Sequence, residues 1–116
     1  MFLQLAHTKL DACQVSQELV IECYTTTLAF PKAERFSMVQ QIRRAALSVH
    51  LNLAEGCSRK SKAERVRFFE IARGSLIETD TAIGIVYKLT CASLEKLQPL
   101  GESIVKAFKL LSGMIS

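Results

Sequence analysis

A chain of 116 residues and 12.9 kDa, 49% apolar and 22% charged, is sized for one domain over 1–116 and is too apolar for disorder. Two prolines and five glycines exclude collagen-like repeats and argue against an all-β fold rich in tight turns. The net charge of +4 is modest but unevenly placed: Lys32 to Arg73 holds ten bases against four acids, which suits either an anionic partner or a solvated helix face.

Leu10, Cys13, Val15, Leu19, Val20, Cys23 and Tyr24 recur at helical spacing and predict a first helix from about Thr8 to Leu28. The run Thr25-Thr26-Thr27 and then Phe30-Pro31 end it, because proline disfavours a helical conformation in the residue before it. A connection from Lys32 to Arg35 follows, with a short turn. Ser37-Met38-Val39-Gln40 fits an S-x-x-Q capping box and predicts that the second helix starts at Ser37. Gly56 is expected to end it as a left-handed C-cap, a conformation glycine adopts without steric cost. Val39, Ile42, Ala46, Val49 and Leu53 form its core seam, whereas Gln40, Arg44, Leu47 and Leu51 share the opposite face. Two leucines beside an arginine there point either to a subunit contact or to cover by the flank of a neighbouring helix.

Ser61-Lys62-Ala63-Glu64 is a second capping box and opens a long third helix to about Thr90, with Phe69, Ala72, Leu76, Ile83 and Tyr87 on one stripe. Gly74 and Gly84 inside it predict a close helix approach or a slight kink. Arg73 and Asp80 lie too far apart in sequence to pair along one helix, so each is expected to find a partner on another helix or at an interface. Ser93 caps a turn from Leu94 to Gln98, and Pro99 is placed at the start of a fourth helix carrying Leu100, Ile104, Ala107, Phe108, Leu111 and Ile115. Four helices with short connections predict an all-α, antiparallel up-down four-helix bundle.

Positive signs of catalysis are missing. The chain has no glycine-rich phosphate loop, and Glu70, Glu78 and Asp80 lack the E-x-x-H partners of a di-iron bundle. The two histidines and four cysteines have no metal-site spacing, so no metal, cofactor or catalytic residue is assigned, and the chain is expected not to be an enzyme. His50 is expected to pack or to hydrogen-bond. Cys13, Cys23 and Cys91 are placed in apolar helical segments as buried thiols. Cys57 is placed in a loop beside Arg59 and Lys60, which would lower its pKa, but it ranks as incidental. Residues 1–7 do not form a signal peptide and no apolar run reaches membrane-spanning length, so a soluble protein of a reducing cytoplasm is expected.

The basic centre remains. Arg59, Lys60 and Lys62 surround the turn between the second and third helices, Arg65 and Arg67 follow, and the third helix points its amide end at the same region. Nucleic-acid phosphates fit such a site. Phe68 and Phe69 read as mostly core, so contacts would be to the backbone rather than to bases.

The run Gln41-Ile42-Arg43-Arg44-Ala45-Ala46-Leu47-Ser48-Val49 and Asn52-Leu53-Ala54-Glu55-Gly56, with Arg59-Lys60-Ser61-Lys62, Phe68 to Leu76 and Glu78, resembles one bacterial family over nearly the whole chain. Phe30-Pro31-Lys32-x-Glu34-Arg35 belongs to the same pattern. It is the four-helix-bundle family named for proteins encoded in intervening sequences of 23S ribosomal RNA genes. His50, where the family commonly has proline, and Leu53, where it usually has isoleucine, depart from the pattern. The resemblance implies a basic homopentamer without enzymatic activity, in which Leu47 and Leu51 would meet another subunit. Relatives include the accessory variability protein of diversity-generating retroelements, which implies RNA or DNA and a reverse transcriptase or other protein as candidate partners. Carried onto this chain, it adds Arg43, Arg44 and Arg73 to Arg59, Lys60 and Lys62 as bases to test. The alternative is a structural oligomer that scaffolds a protein partner, its arginines serving subunit pairs.

Overall fold

Apolar stripes make four helices in the computed structural model of the chain: α1 (Asp11–Thr27), α2 (Gln40–Cys57), α3 (Lys62–Lys88) and α4 (Leu94–Ile115). Residues 1–116 are described, except for the side chains of Lys9, Glu34, Arg35 and Phe36; of the residues singled out above, Glu34 and Arg35 therefore lie outside the described side chains. Each helix packs on its sequence neighbours, and α1 also packs on α4, which closes a four-cornered bundle measuring 44 × 30 × 23 Å. Leu19, Ile42, Leu53, Leu76, Leu100 and Leu111 are fully buried on its axis, and the described residues contain no strand.

The seam of α2 is as expected, with Val39, Ile42, Ala46, Val49 and Leu53 all buried. The start of α2 is not. A 3₁₀ turn at Lys32–Glu34 and a π turn at Arg35–Val39 lead into it, and Val39 already has helical dihedrals, so no bare helix end exists at Ser37 for that side chain to cap. Likewise α1 starts at Asp11, because Leu10 is extended and a separate 3₁₀ turn holds Ala6–Lys9. Pro99 lies inside α4, which starts at once from Ser93, whose Oγ accepts from the Lys96 amide. Pro99 and Glu95 are both exposed, so water can take up the carbonyl that a proline cannot serve.

Gly56 does something other than cap. It has no positive φ, lies within α2 and is buried. A Cβ there would sit 2.7 Å from Phe69 Cε1, 2.9 Å from Phe69 Cδ1 and 3.0 Å from Phe68 Cβ, so the missing side chain is what lets α3 come this close to α2. Gly74 and Gly84, expected to mark a close approach or a slight kink, have open space around them, so the close approach is not there. The left-handed residue falls where no glycine stands: Thr90 has φ 59°, with Cys91 N–H donating to the Val86 carbonyl and Thr90 N–H to that of Tyr87. That is the hydrogen-bond pattern of a Schellman turn ending α3, held at a steric cost that glycine would not incur.

The core stripe of α3 is Phe69, Ala72, Leu76, Thr79, Ile83 and Val86. Tyr87 is exposed, because the alternating three- and four-residue steps bring Val86 inward in its place. Cys13 and Cys23 are buried as expected, and burial pushes the Cys23 thiol up to about 12. Cys91 lies between α3 and α4 rather than in a helix and is partly exposed. Gly56→Ala is expected to destabilise the fold by about 1–3 kcal/mol, because Phe69 is packed and cannot yield. Gly84→Ala, in open space, should instead stabilise it by up to about 1 kcal/mol through helix propensity alone. Urea unfolding of both variants checks the contrast.

Candidate nucleic-acid interface

The α2–α3 turn spans four residues, 58–61, and is built by local hydrogen bonds. Ser58 Oγ donates to the Glu55 carbonyl at 2.7 Å, Arg59 N–H donates to the Gly56 carbonyl, and Ser61 Oγ accepts from the Glu64 amide at 3.1 Å, as the capping sequence predicts. The Arg65 guanidinium reaches back from the first turn of α3 and donates to the carbonyls of Arg59 at 3.2 Å and Lys60 at 2.6 Å. Arg65 therefore holds the loop in shape.

Arg59 is placed by two neighbours. Its Nη2 lies 3.4 Å from Glu55 Oε2, an exposed pair of small energetic weight, and its guanidinium sits 5.0 Å from the centre of the Phe68 ring. Arg67 approaches the same ring at 5.9 Å. Lys60, Lys62 and Arg67 are exposed and have no carboxylate partner among the described residues. Phe69 is buried as expected, but Phe68 is only half-buried. Adjacent residues on a helix point about 100° apart, so only one of the two can follow Ala72 and Leu76 into the core. That angle, legible in the sequence, separates the aromatic at the site from the aromatic in the core.

The remaining bases lie elsewhere. Arg43 and Arg44 are at the far end of α2, about 20 Å from the turn at 1.5 Å per residue. Arg43 donates from Nε to Thr27 Oγ1 at 2.9 Å and from Nη2 to the Tyr24 carbonyl, and its guanidinium lies 4.5 Å from the centre of the Tyr24 ring, so it fastens the end of α1 to α2. Arg73 faces α4 and donates to Ser112 Oγ at 3.3 Å, while Asp80 is exposed. The structure thus gathers Arg59, Lys60, Lys62, Arg65 and Arg67 and separates Arg43, Arg44 and Arg73 from them. Arg44 stands on the outer face of α2 with Leu47 and Leu51, which are 38% and 56% exposed, so the described residues leave both leucines partly open to solvent.

No group of three or more His, Cys, Asp or Glu side chains able to hold a metal ion occurs among the described residues. Cys57 is the last residue of α2, not a loop residue, and partial burial raises its pKa, reinforced by nearby Cys13; Arg65, rather than Arg59 or Lys60, opposes the rise. His50 Nδ1 lies 2.7 Å from the Oγ of buried Ser16, an α1–α2 hydrogen bond. No described helix is long and apolar enough to cross a membrane.

The family model for the 23S rRNA-intervening sequence protein matches residues 8–113. The chain belongs to this family. Its fold matches the crystal structure of a protein of unknown function from the S23 ribosomal protein family of Bacteroides thetaiotaomicron, with a TM-score of 0.81 over 90% of this chain and 98% of that one. Identity is 20%, so that likeness shows the fold alone. No curated protein matches the sequence.

The stretches by which the chain resembles the family also supply much of the α2–α3 interface. Gln41 Nε2 donates to Glu78 Oε1, Ser48 and Ser75 share a hydrogen bond of 2.9 Å, Asn52 Nδ2 donates to Ser48, and Gly56 admits Phe69. Burial, then the neighbouring His7, lowers the His50 pKa below 6.5. Neutral His50 therefore adds stability that is full above pH 6.5 and is lost as pH falls through the lower folded value. Thermal unfolding between pH 8 and 5 should show His50→Gln losing less stability on acidification than the wild type.

Proposed function

We propose that the chain is a non-enzymatic, nucleic-acid-binding accessory protein of the cytoplasm that holds RNA or DNA by its phosphate backbone and works as an oligomer. The observation that carries this reading is the gathering of five bases, Arg59, Lys60, Lys62, Arg65 and Arg67, around the α2–α3 turn and the start of α3, with three acids, Glu55, Glu64 and Glu70, alongside. The capped start of α3 adds its dipole to the same surface. Arg65 shapes the loop, while Lys60, Lys62 and Arg67 are left to face a strand.

Binding to mixed-sequence RNA and duplex DNA over a range of salt tests the reading, because each phosphate contact on duplex DNA adds a slope of about −0.9 to log K against log salt. The wild type should show a slope worth several contacts. The charge reversal Arg59→Glu/Lys60→Glu/Lys62→Glu should flatten it and weaken binding to all sequences alike; an unchanged affinity removes these residues from the site.

Assembly is the second part of the proposal. Leu47 and Leu51 form an apolar outer face, bordered by Arg44, that a further copy would cover, and a homopentamer is the assembly that the family resemblance implies. A reverse transcriptase or another protein is then the natural partner of the assembled form. The same leucines favour a second reading, a structural oligomer that docks a protein partner and binds no nucleic acid. Solution mass at micromolar concentration should be five times that of the chain, and Leu47→Glu/Leu51→Glu should lower it. A monomer in the wild type rejects the pentamer.

A further inference from the structure

Within the nucleic-acid reading, on which this inference rests, the geometry points to single-stranded nucleic acid as the ligand, with an unpaired base stacked on the group formed by Arg59, Phe68 and Arg67. The side chains are of the right kind. A half-buried aromatic ring lies within this basic surface, and it has two guanidinium groups within 6 Å of its centre. Those two cations repel each other, and of the two Arg59 alone pairs with a carboxylate, Glu55, among the described residues. An incoming strand answers both features at once: its phosphates bring negative charge to Arg67, which has no carboxylate partner among the described residues, and a base offers a flat face to the exposed side of a guanidinium already lying on a ring. Planar guanidinium and aromatic groups together form the stacking platforms on which unpaired bases rest.

The surroundings supply contacts for the strand's phosphates. Lys60 and Lys62 stand exposed on the turn beside Arg59, so the phosphates on either side of a stacked base have bases to meet. Arg65 is withdrawn from this contact because its Nη1 is committed to the carbonyls of Arg59 and Lys60, which keeps the turn, and with it Arg59, in place over the ring. Phe68 itself has its Cβ against Gly56 and is adjacent to buried Phe69, so the platform is held where α3 comes close to α2. A duplex has its bases stacked and paired inside and can use only the lysines and Arg67. A single strand can use those and the ring as well.

The test measures affinity for mixed-sequence single-stranded RNA and for the duplex of the same sequence, at low and at moderate salt, with wild-type protein, Phe68→Leu and Lys60→Glu/Lys62→Glu. Leucine keeps an apolar side chain of similar reach against Gly56 and removes only the π face; unchanged circular dichroism and thermal unfolding identify it as folded. Wild-type protein should prefer the single strand. Phe68→Leu should lose single-strand affinity by at least about fivefold, with duplex affinity and the salt slope unchanged. Lys60→Glu/Lys62→Glu should weaken both ligands and flatten the slope. Equal single-strand affinity of Phe68→Leu and wild type, with the lysine variant still weakened, overturns the stacking and leaves the phosphate site standing; so does a wild type that binds duplex as tightly as single strand. No binding of either ligand by the wild type overturns both.

Discussion

The contact at Gly56 is the constraint on which the rest of the bundle turns. One absent side chain allows the end of α2 to lie against Phe69 and the Cβ of Phe68 near the start of α3, and the four-residue turn between the helices then has little freedom left. Away from the turn, the α2–α3 flank is joined by the Ser48–Ser75 and Gln41–Glu78 hydrogen bonds, with Asn52 satisfying Ser48. Paired polar groups at a helix flank specify one register, because a slip would leave several of them without partners at once.

This rigid corner gives the basic turn its form. Bases scattered through a flexible loop would lose conformational entropy on binding an anion, whereas here Arg65 ties the loop carbonyls and Ser61 ties the helix start before any ligand arrives. Other arginines of the same stretch serve the bundle. Arg43 secures the end of α1 and Arg73 reaches α4, both through hydrogen bonds that side-chain spacing within one helix cannot reveal.

Much of the fold was legible because helical periodicity is a local signal. The seam from Val39 to Leu53, the cap at Ser61 and the number of helices all follow from residues a few positions apart. The errors share a cause. Ser37 has the composition of a cap but no helix end to cap, since the chain is already wound into a π turn there. Gly56 has the composition of a left-handed stop, yet its purpose lies on another helix, thirteen residues away at Phe69. Thr90, without a glycine to announce it, takes the left-handed turn because α4 must fold back to α1 and α3 within five residues.

For the candidate site, the sequence by itself determined which charges crowd the middle of the chain and that a capped helix begins among them, because both are properties of neighbouring residues. Tertiary structure decided which of those charges are free. Hydrogen bonds to Thr27, Ser112 and the loop carbonyls engage three of the eight candidate bases, and the packing of α3 on α2 turned Phe69 into the core while leaving Phe68 beneath Arg59 and Arg67. The physical reason is that charge and helical phase are set along the chain, whereas a side chain's partner is set by whatever the fold brings beside it.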